Sequence, residues 1–177
     1  MNDPLILTAL MGPADFAWAD GLRRAHFPPE RNQVPAHITL FHHLPPTLID
    51  ELRDRIGRLT AAPPPAARID GVLHLGRGVA FRVASTALID LRDELAQAFR
   101  GMLVPQDMAA PRLHITVQNK ASAGEARALH AQLSAGFEPR SLRIAGIAAW
   151  HYRGGPWEPA FTRAFRGQVQ ARRAVIR

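Results

Sequence analysis

Ala36-His37-Ile38-Thr39-Leu40-Phe41-His42-His43-Leu44 and Leu113-His114-Ile115-Thr116-Val117-Gln118-Asn119-Lys120 carry the same tripeptide, His-Ile-Thr, at two places in one chain. Pro35 stands just ahead of the first copy and Pro111 just ahead of the second. Polar and aliphatic residues alternate through both, which is the period of a β-strand, so strands are expected over 36–44 and 112–120. Successive side chains of a strand point to opposite faces. His37 and Thr39 then share a face with Phe41 and His43, while Ile38 and Leu40 point the other way, and His42 with them. In the second copy His114 and Thr116 share a face with Gln118 and Lys120, opposite Leu113, Ile115 and Val117. Each strand offers an imidazole and a hydroxyl to one side and packs aliphatic groups on the other. Two such strands side by side make a site with two histidines and two threonines.

The flanking sequence repeats around these strands. Residues 5–11 read as a first strand, and 14–26 as a helix with Phe16, Ala19, Leu22 and Arg23 at helical spacing, closed by Phe27-Pro28-Pro29. After the first motif, Thr47 is placed to cap a helix whose stripe is Leu48, Ile49, Leu52, Ile56 and Leu59, stopped by Pro63-Pro64-Pro65. Strands over 67–75 and 78–85 follow, joined hairpin-fashion at Gly76-Arg77-Gly78. A helix over 87–102 is expected to turn Leu88, Leu91, Leu95, Phe99 and Met102 inward, and a loop with Pro105 and Pro111 leads to the second motif. Ser122 opens a shorter helix to Leu133, and strands over 140–151 and 159–166 end the pattern. One duplication of a strand–helix unit accounts for this order better than a solenoid, which needs three or more repeats. The expected fold is α+β: one domain over 1–177 with two pseudo-symmetric lobes, antiparallel sheets facing a central cleft and helices outside.

An apolar fraction of 47% with 21% charged residues is that of a chain with a core, which excludes wholesale disorder. No apolar run is long enough to span a bilayer, so no membrane association is expected. The first residues lack a basic flank before their short apolar run, which argues against a secretory signal and for a cytoplasmic monomer. Without cysteine, disulfides and thiolate metal sites are excluded. The formal charge of +7 comes almost wholly from arginine, Lys120 being the one lysine, and much of the excess sits in Arg163, Arg166, Arg172, Arg173 and Arg177. Such a balance favours polyanions in general and specifies none.

The paired motifs resemble the His-x-Thr/Ser signatures of the two-histidine (2H) phosphoesterase superfamily. More narrowly, the chain is similar to the bacterial 2′-5′ RNA ligases, also described as RNA 2′,3′-cyclic phosphodiesterases. The resemblance implies catalysis by His37, Thr39, His114 and Thr116 without metal or other cofactor. It implies hydrolysis of 2′,3′-cyclic phosphate ends, on RNA or small nucleotides, to 2′-phosphates, with reverse 2′-5′ ligation in some members. It also implies His37 as acid to the leaving oxygen and His114 as base toward water. The flanks depart from the family: Phe41-His42-His43-Leu44 replaces a frequent Leu-Phe-Leu-Gly, and Asn119-Lys120 stands where many relatives have arginine.

The chemistry matches the residue types. Histidine, with an ordinary pKa of about 6.5, can serve as base in one copy and acid in the other, and threonine hydroxyls can donate to phosphoryl oxygens. Lys120, Gln118, His43 and Phe41 are the further substrate-binding candidates, Phe41 by stacking on a base. Trp150, Tyr152 and Trp157 offer other stacking surfaces, and Arg77 in its turn is a remote phosphate candidate. Two other readings stand beside this one: an RNA-binding module of the same fold without catalysis, and a histidine-based metalloprotein. The second lacks His-x-x-x-His spacing or a nearby carboxylate in either motif.

Overall fold

The computed structural model describes residues 3–169. The tail cations Arg172, Arg173 and Arg177 therefore lie outside the described residues. Seven strands and five helices follow in the order β1 (Leu5–Met11), α1 (Pro13–His26), β2 (Ile38–Leu44), α2 (Ile49–Leu59), β3 (Ala66–His74), β4 (Val79–Ala84), α3 (Thr86–Ala98), α4 (Pro105–Met108), β5 (His114–Gln118), α5 (Ala123–Ala135), β6 (Arg140–His151) and β7 (Glu158–Ala164). The fold is α+β, and every strand pair is antiparallel. No helix among the described residues is long and apolar enough to cross a membrane.

The sheet runs β2-β1-β6-β3-β4-β5, with β7 paired to β6 as well. β6 is the shared member: Arg140–Arg143 pairs with β3, whereas the rest pairs with β1 on one edge and β7 on the other. The expected two sheets are thus two halves of one, joined through this strand. In the first half the order is β2, β1, late β6, β7; in the second it is β5, β4, β3, early β6. Each half has its motif strand at the free edge, so the duplication read from the sequence is a duplication of strand order. The two edges, β2 and β5, approach within 8 Å without forming a ladder.

β1 is buried almost throughout, with Leu5 and Leu7 at 0% exposure and Ile6 at 6%. A strand covered on both faces needs no alternation, and its run of apolar residues reflects that. The α2 stripe is as expected, with Leu52 and Ile56 fully buried. Thr47 does not cap α2, because Pro46–Leu48 forms a 3₁₀ turn and Leu48 takes the cap position. α3 ends at Ala98, four residues early, and Met102 is left exposed rather than inward. Its start is fixed by Ser85, whose hydroxyl accepts the N–H of Leu88 at 3.2 Å. Ser122 and Glu125 close a capping box on α5. The segment read as a loop before the second motif holds the short helix α4, whose four residues give no periodicity to find.

Gly76 takes φ 81° in the β3–β4 turn, a conformation costly for other residues. Gly78 has a different reason: a Cβ there would lie 2.0 Å from the Gln118 carbonyl oxygen. Gly78→Ala must therefore displace the end of β5, the second motif strand. We expect it to cost about 2 kcal/mol or more of stability, read as a lower midpoint in urea, whereas Gly21→Ala on open helix surface should not.

Candidate active site

The two motif histidines are held in the same way. His37 lies one residue before β2, and its Nδ1 is 2.7 Å from the carbonyl oxygen of Pro35. His114 opens β5, and its Nδ1 is 2.6 Å from the carbonyl oxygen of Arg112. A carbonyl can only accept, so Nδ1 must donate in both rings, which leaves each Nε2 as the free nitrogen. Bonding to the carbonyl two residues earlier fixes both rings against their own strands. Thr39 and Thr116 are each half-buried, in β2 and β5.

Burial pushes the His37 imidazole down to about 4 from its ordinary 6.5. The bond to Pro35 opposes this, while positive charge on Arg23, His114 and His42 adds to it. The His37 ring also packs against Trp157, with centroids 4.6 Å apart and planes tilted by 56°, and Trp157 leans on Trp150 at 6.2 Å. Trp150 is in turn fixed by its indole N–H donating to Thr8 Oγ1 at 2.9 Å. The three aromatic candidates of the C-terminal region thus include one, Trp157, that touches a motif histidine.

Two residues outside the motifs support the strands that carry them. Arg23 of α1 is 4% exposed; its Nε donates to Asn32 Oδ1 at 2.8 Å and its Nη1 to the Thr116 carbonyl at 2.9 Å. Burial lowers its pKa to about 10, against the pull of Asp20, so it stays charged near neutral pH. Asp107 of α4 is 1% exposed and accepts the backbone N–H groups of His42 and His43 and the Nδ1–H of His42, at 2.8–3.1 Å. Burial pushes its carboxyl up, but those bonds outweigh burial and hold it below the usual carboxylate range. Arg23 had a signal in the sequence, as the one charged residue in an otherwise apolar helical stripe. Asp107 and Asn32 had none.

The remaining candidates move. β2 shifts register twice against β1, because Thr8 pairs with Thr39, Leu7 with Phe41 and Leu5 with Leu44. Each shift inserts an extra residue into β2 and reverses its alternation. Phe41 is consequently at 0% exposure in the core, under the Arg92 guanidinium at 4.7 Å, and cannot stack on a base. His42 and His43 are both exposed, so the strict alternation that put His43 on the His37 face does not hold here. Gln118 is only 6% exposed, and among the described residues its Oε1 has no hydrogen-bond partner. β5 stops there, and Lys120 lies beyond it at φ 59°, off the strand face. Arg77 donates its Nε to the Ala121 carbonyl at 2.9 Å, bracing the turn.

Cavities flank the two histidines unequally. Beside His37 is one of about 550 Å³ walled by Met11, Phe16, Pro35, Trp150 and Trp157. Beside His114 is one of about 840 Å³ that includes His74, Arg82, Ser85 and Arg112. Among the described residues no three His, Asp or Glu side chains are grouped to hold a metal ion.

The sequence model of the 2′-5′ RNA ligase superfamily matches residues 12–156, which take in both motifs. The chain belongs to this superfamily. Solved structures agree on the fold of this superfamily member. TT0787 of Thermus thermophilus superposes with a TM-score of 0.62 at 17% identity, covering 96% of this chain and 100% of that one. A structure described as a phosphoesterase gives 0.63 at 19%, covering 95% and 100%. E. coli LigT complexed with 3′-AMP gives 0.59 at 22%, also covering 95% and 100%. No curated protein sequence matches the chain.

The lowered pKa of His37 has two measurable consequences. Its ring resonances should titrate near pH 4 by NMR, where an exposed histidine titrates near 6.5. Because the unfolded chain takes up this proton first, the contribution of His37 to stability is full above about pH 6.5 and lost as pH falls toward 4. Replacing His37 with Gln should flatten that part of the stability–pH curve.

Proposed function

We propose that the protein is a metal-independent phosphodiesterase that opens 2′,3′-cyclic phosphates, on RNA ends or nucleotides, to 2′-phosphates. The observation that carries the reading is the matched pair of imidazoles, each with Nδ1–H tied to its own backbone and Nε2 free. A cyclic phosphodiester needs one group to take a proton from water and another to give one to the leaving oxygen. Membership in the superfamily supports an enzyme acting on phosphodiester bonds.

In this reading water attacks phosphorus as one Nε2 accepts its proton. The bond from phosphorus to the ribose 3′ oxygen breaks, and the other Nε2–H protonates that oxygen, leaving a 2′-phosphate. Thr39 and Thr116 donate to the non-bridging oxygens, where charge builds up in the transition state. The low proton affinity of His37 keeps it neutral near pH 7 in the free protein, which suits the base. The resemblance implies the opposite roles, and the matched backbone ties of the two rings favour neither assignment. The aromatic wall beside His37 gives a nucleobase a surface to stack on.

Phosphorus NMR of a nucleoside 2′,3′-cyclic phosphate incubated with EDTA-treated protein should show the 2′-phosphate appear. His37→Ala and His114→Ala should each lower turnover by at least about 10²-fold with the fold retained. Full activity in either variant would exclude the two-histidine mechanism. The role assignment has its own check. On a 4-nitrophenyl phosphodiester of a nucleotide, whose leaving group needs no proton, the variant lacking the acid should lose less than about tenfold while the variant lacking the base keeps its full deficit.

A further inference from the structure

Three cations converge on one small cavity beside the site. About 320 Å³ in volume, it is lined by Arg23, Arg31 and Lys120, together with Gln33, Tyr152 and Trp157. Glu30 is the single acid on its wall. Among the described residues none of the three cations has a carboxylate within ion-pair distance. Glu30 and the more distant Asp20 only partly offset three positive charges, and a bound anion relieves the remainder.

The three are presented differently. Arg23 is buried and immobilised, with Nε and Nη1 committed to Asn32 and to the Thr116 carbonyl, so its Nη2 remains to donate. A guanidinium fixed in this way has already lost the freedom it would otherwise surrender on binding an anion. Arg31 and Lys120 are exposed and can swing onto a ligand. Lys120 is also the one described non-glycine residue with positive φ, at 59°, a costly conformation for a side chain without a short polar group. Trp157 joins this cavity to His37, since it lines the cavity and its ring packs against the imidazole. An anion held here sits one aromatic ring away from a phosphate held at His37.

We propose that this cavity binds a second phosphate group of the substrate, one nucleotide unit or less from the reacting cyclic phosphate. Arg23, Arg31 and Lys120 surround its oxygens, and Tyr152 and Trp157 offer flat surfaces to the attached sugar or base. The volume is at the small end for ligand sites, which fits a phosphate with part of a nucleoside rather than a whole nucleotide chain. This inference rests on the phosphodiesterase reading of the two histidines. Two substrates offer the same chemistry: a nucleoside 2′,3′-cyclic phosphate with a 5′-phosphate, and a dinucleotide whose internucleotide phosphodiester precedes the cyclic end.

The experiment compares kcat/KM for three compounds: a nucleoside 2′,3′-cyclic phosphate, its 5′-phosphorylated form, and a dinucleotide ending in a 2′,3′-cyclic phosphate. At least one phosphate-bearing compound should exceed the plain one by about tenfold or more, and the better of the two identifies which phosphate the cavity takes. Arg31→Gln and Lys120→Gln should each cut that advantage by about threefold, and added salt should shrink it. Arg31→Gln should leave turnover of the plain compound unchanged. Equal kcat/KM for all three, or an advantage that survives both substitutions, would overturn the proposal while the phosphodiesterase reading stands. No turnover of any compound would overturn that reading and this proposal with it.

Discussion

Two buried arginines cross between the halves of the molecule, and the site depends on them. Arg23, from the helix of the first half, donates to the Thr116 carbonyl in the motif strand of the second. Arg92, from the helix of the second half, brings its Nε to 3.4 Å from the Leu40 carbonyl in the motif strand of the first, and its Nη2 donates to the Asp107 carbonyl. Both are 4% exposed. A buried guanidinium is tolerated only where its donors find acceptors, so each arginine demands the other half's strand at a fixed place. β2 and β5 share no ladder, and this exchange of helix-borne donors ties each of them to the other half. The placement of the two imidazoles follows from that constraint.

Much of this was legible in the sequence because it is written in period. β1 appears at the residues expected, the α2 stripe is the buried one, and the repeated His-Ile-Thr strands mark the two edges of a duplicated order. What alternation cannot reveal is an extra residue. The two shifts in β2 sent Phe41 into the core and turned His42 and His43 both outward, and nothing local in that sequence announces a bulge. The same limit applies to β6. Its 12 residues read as one strand, but that its two ends serve different halves is a fact of pairing, set by partners distant in the chain. Asp107 was invisible for a similar reason, since its role comes from a strand 64 positions away.

The duplication has been conserved in backbone and spent in side chains. The backbone ties of the histidines, the threonines and the crossing arginines recur in both halves. The walls around them do not: tryptophan and phenylalanine beside His37, arginine and serine beside His114. Positions 41 and 118 show the same divergence inside the core, where one half buries an aromatic ring and the other an amide. A symmetric frame with dissimilar walls gives the two motif histidines chemically different surroundings.

The sharing of β6 also constrains how the chain can assemble. Both halves need this strand, and it comes after residues 1–139, so neither sheet half is complete while nearly the first four-fifths of the chain emerge during synthesis. Until then β1 and β3 each present an unpaired edge, the kind of surface that invites association between chains. Four of the six strand pairs, all but β3–β4 and β6–β7, join distant segments, which places loop closure ahead of the gain from burial and slows folding. Once β6 docks it zips both halves together, and losing it would dissolve both. The arrangement makes the two lobes a single cooperative unit, in which the two motif edges stand or fall together.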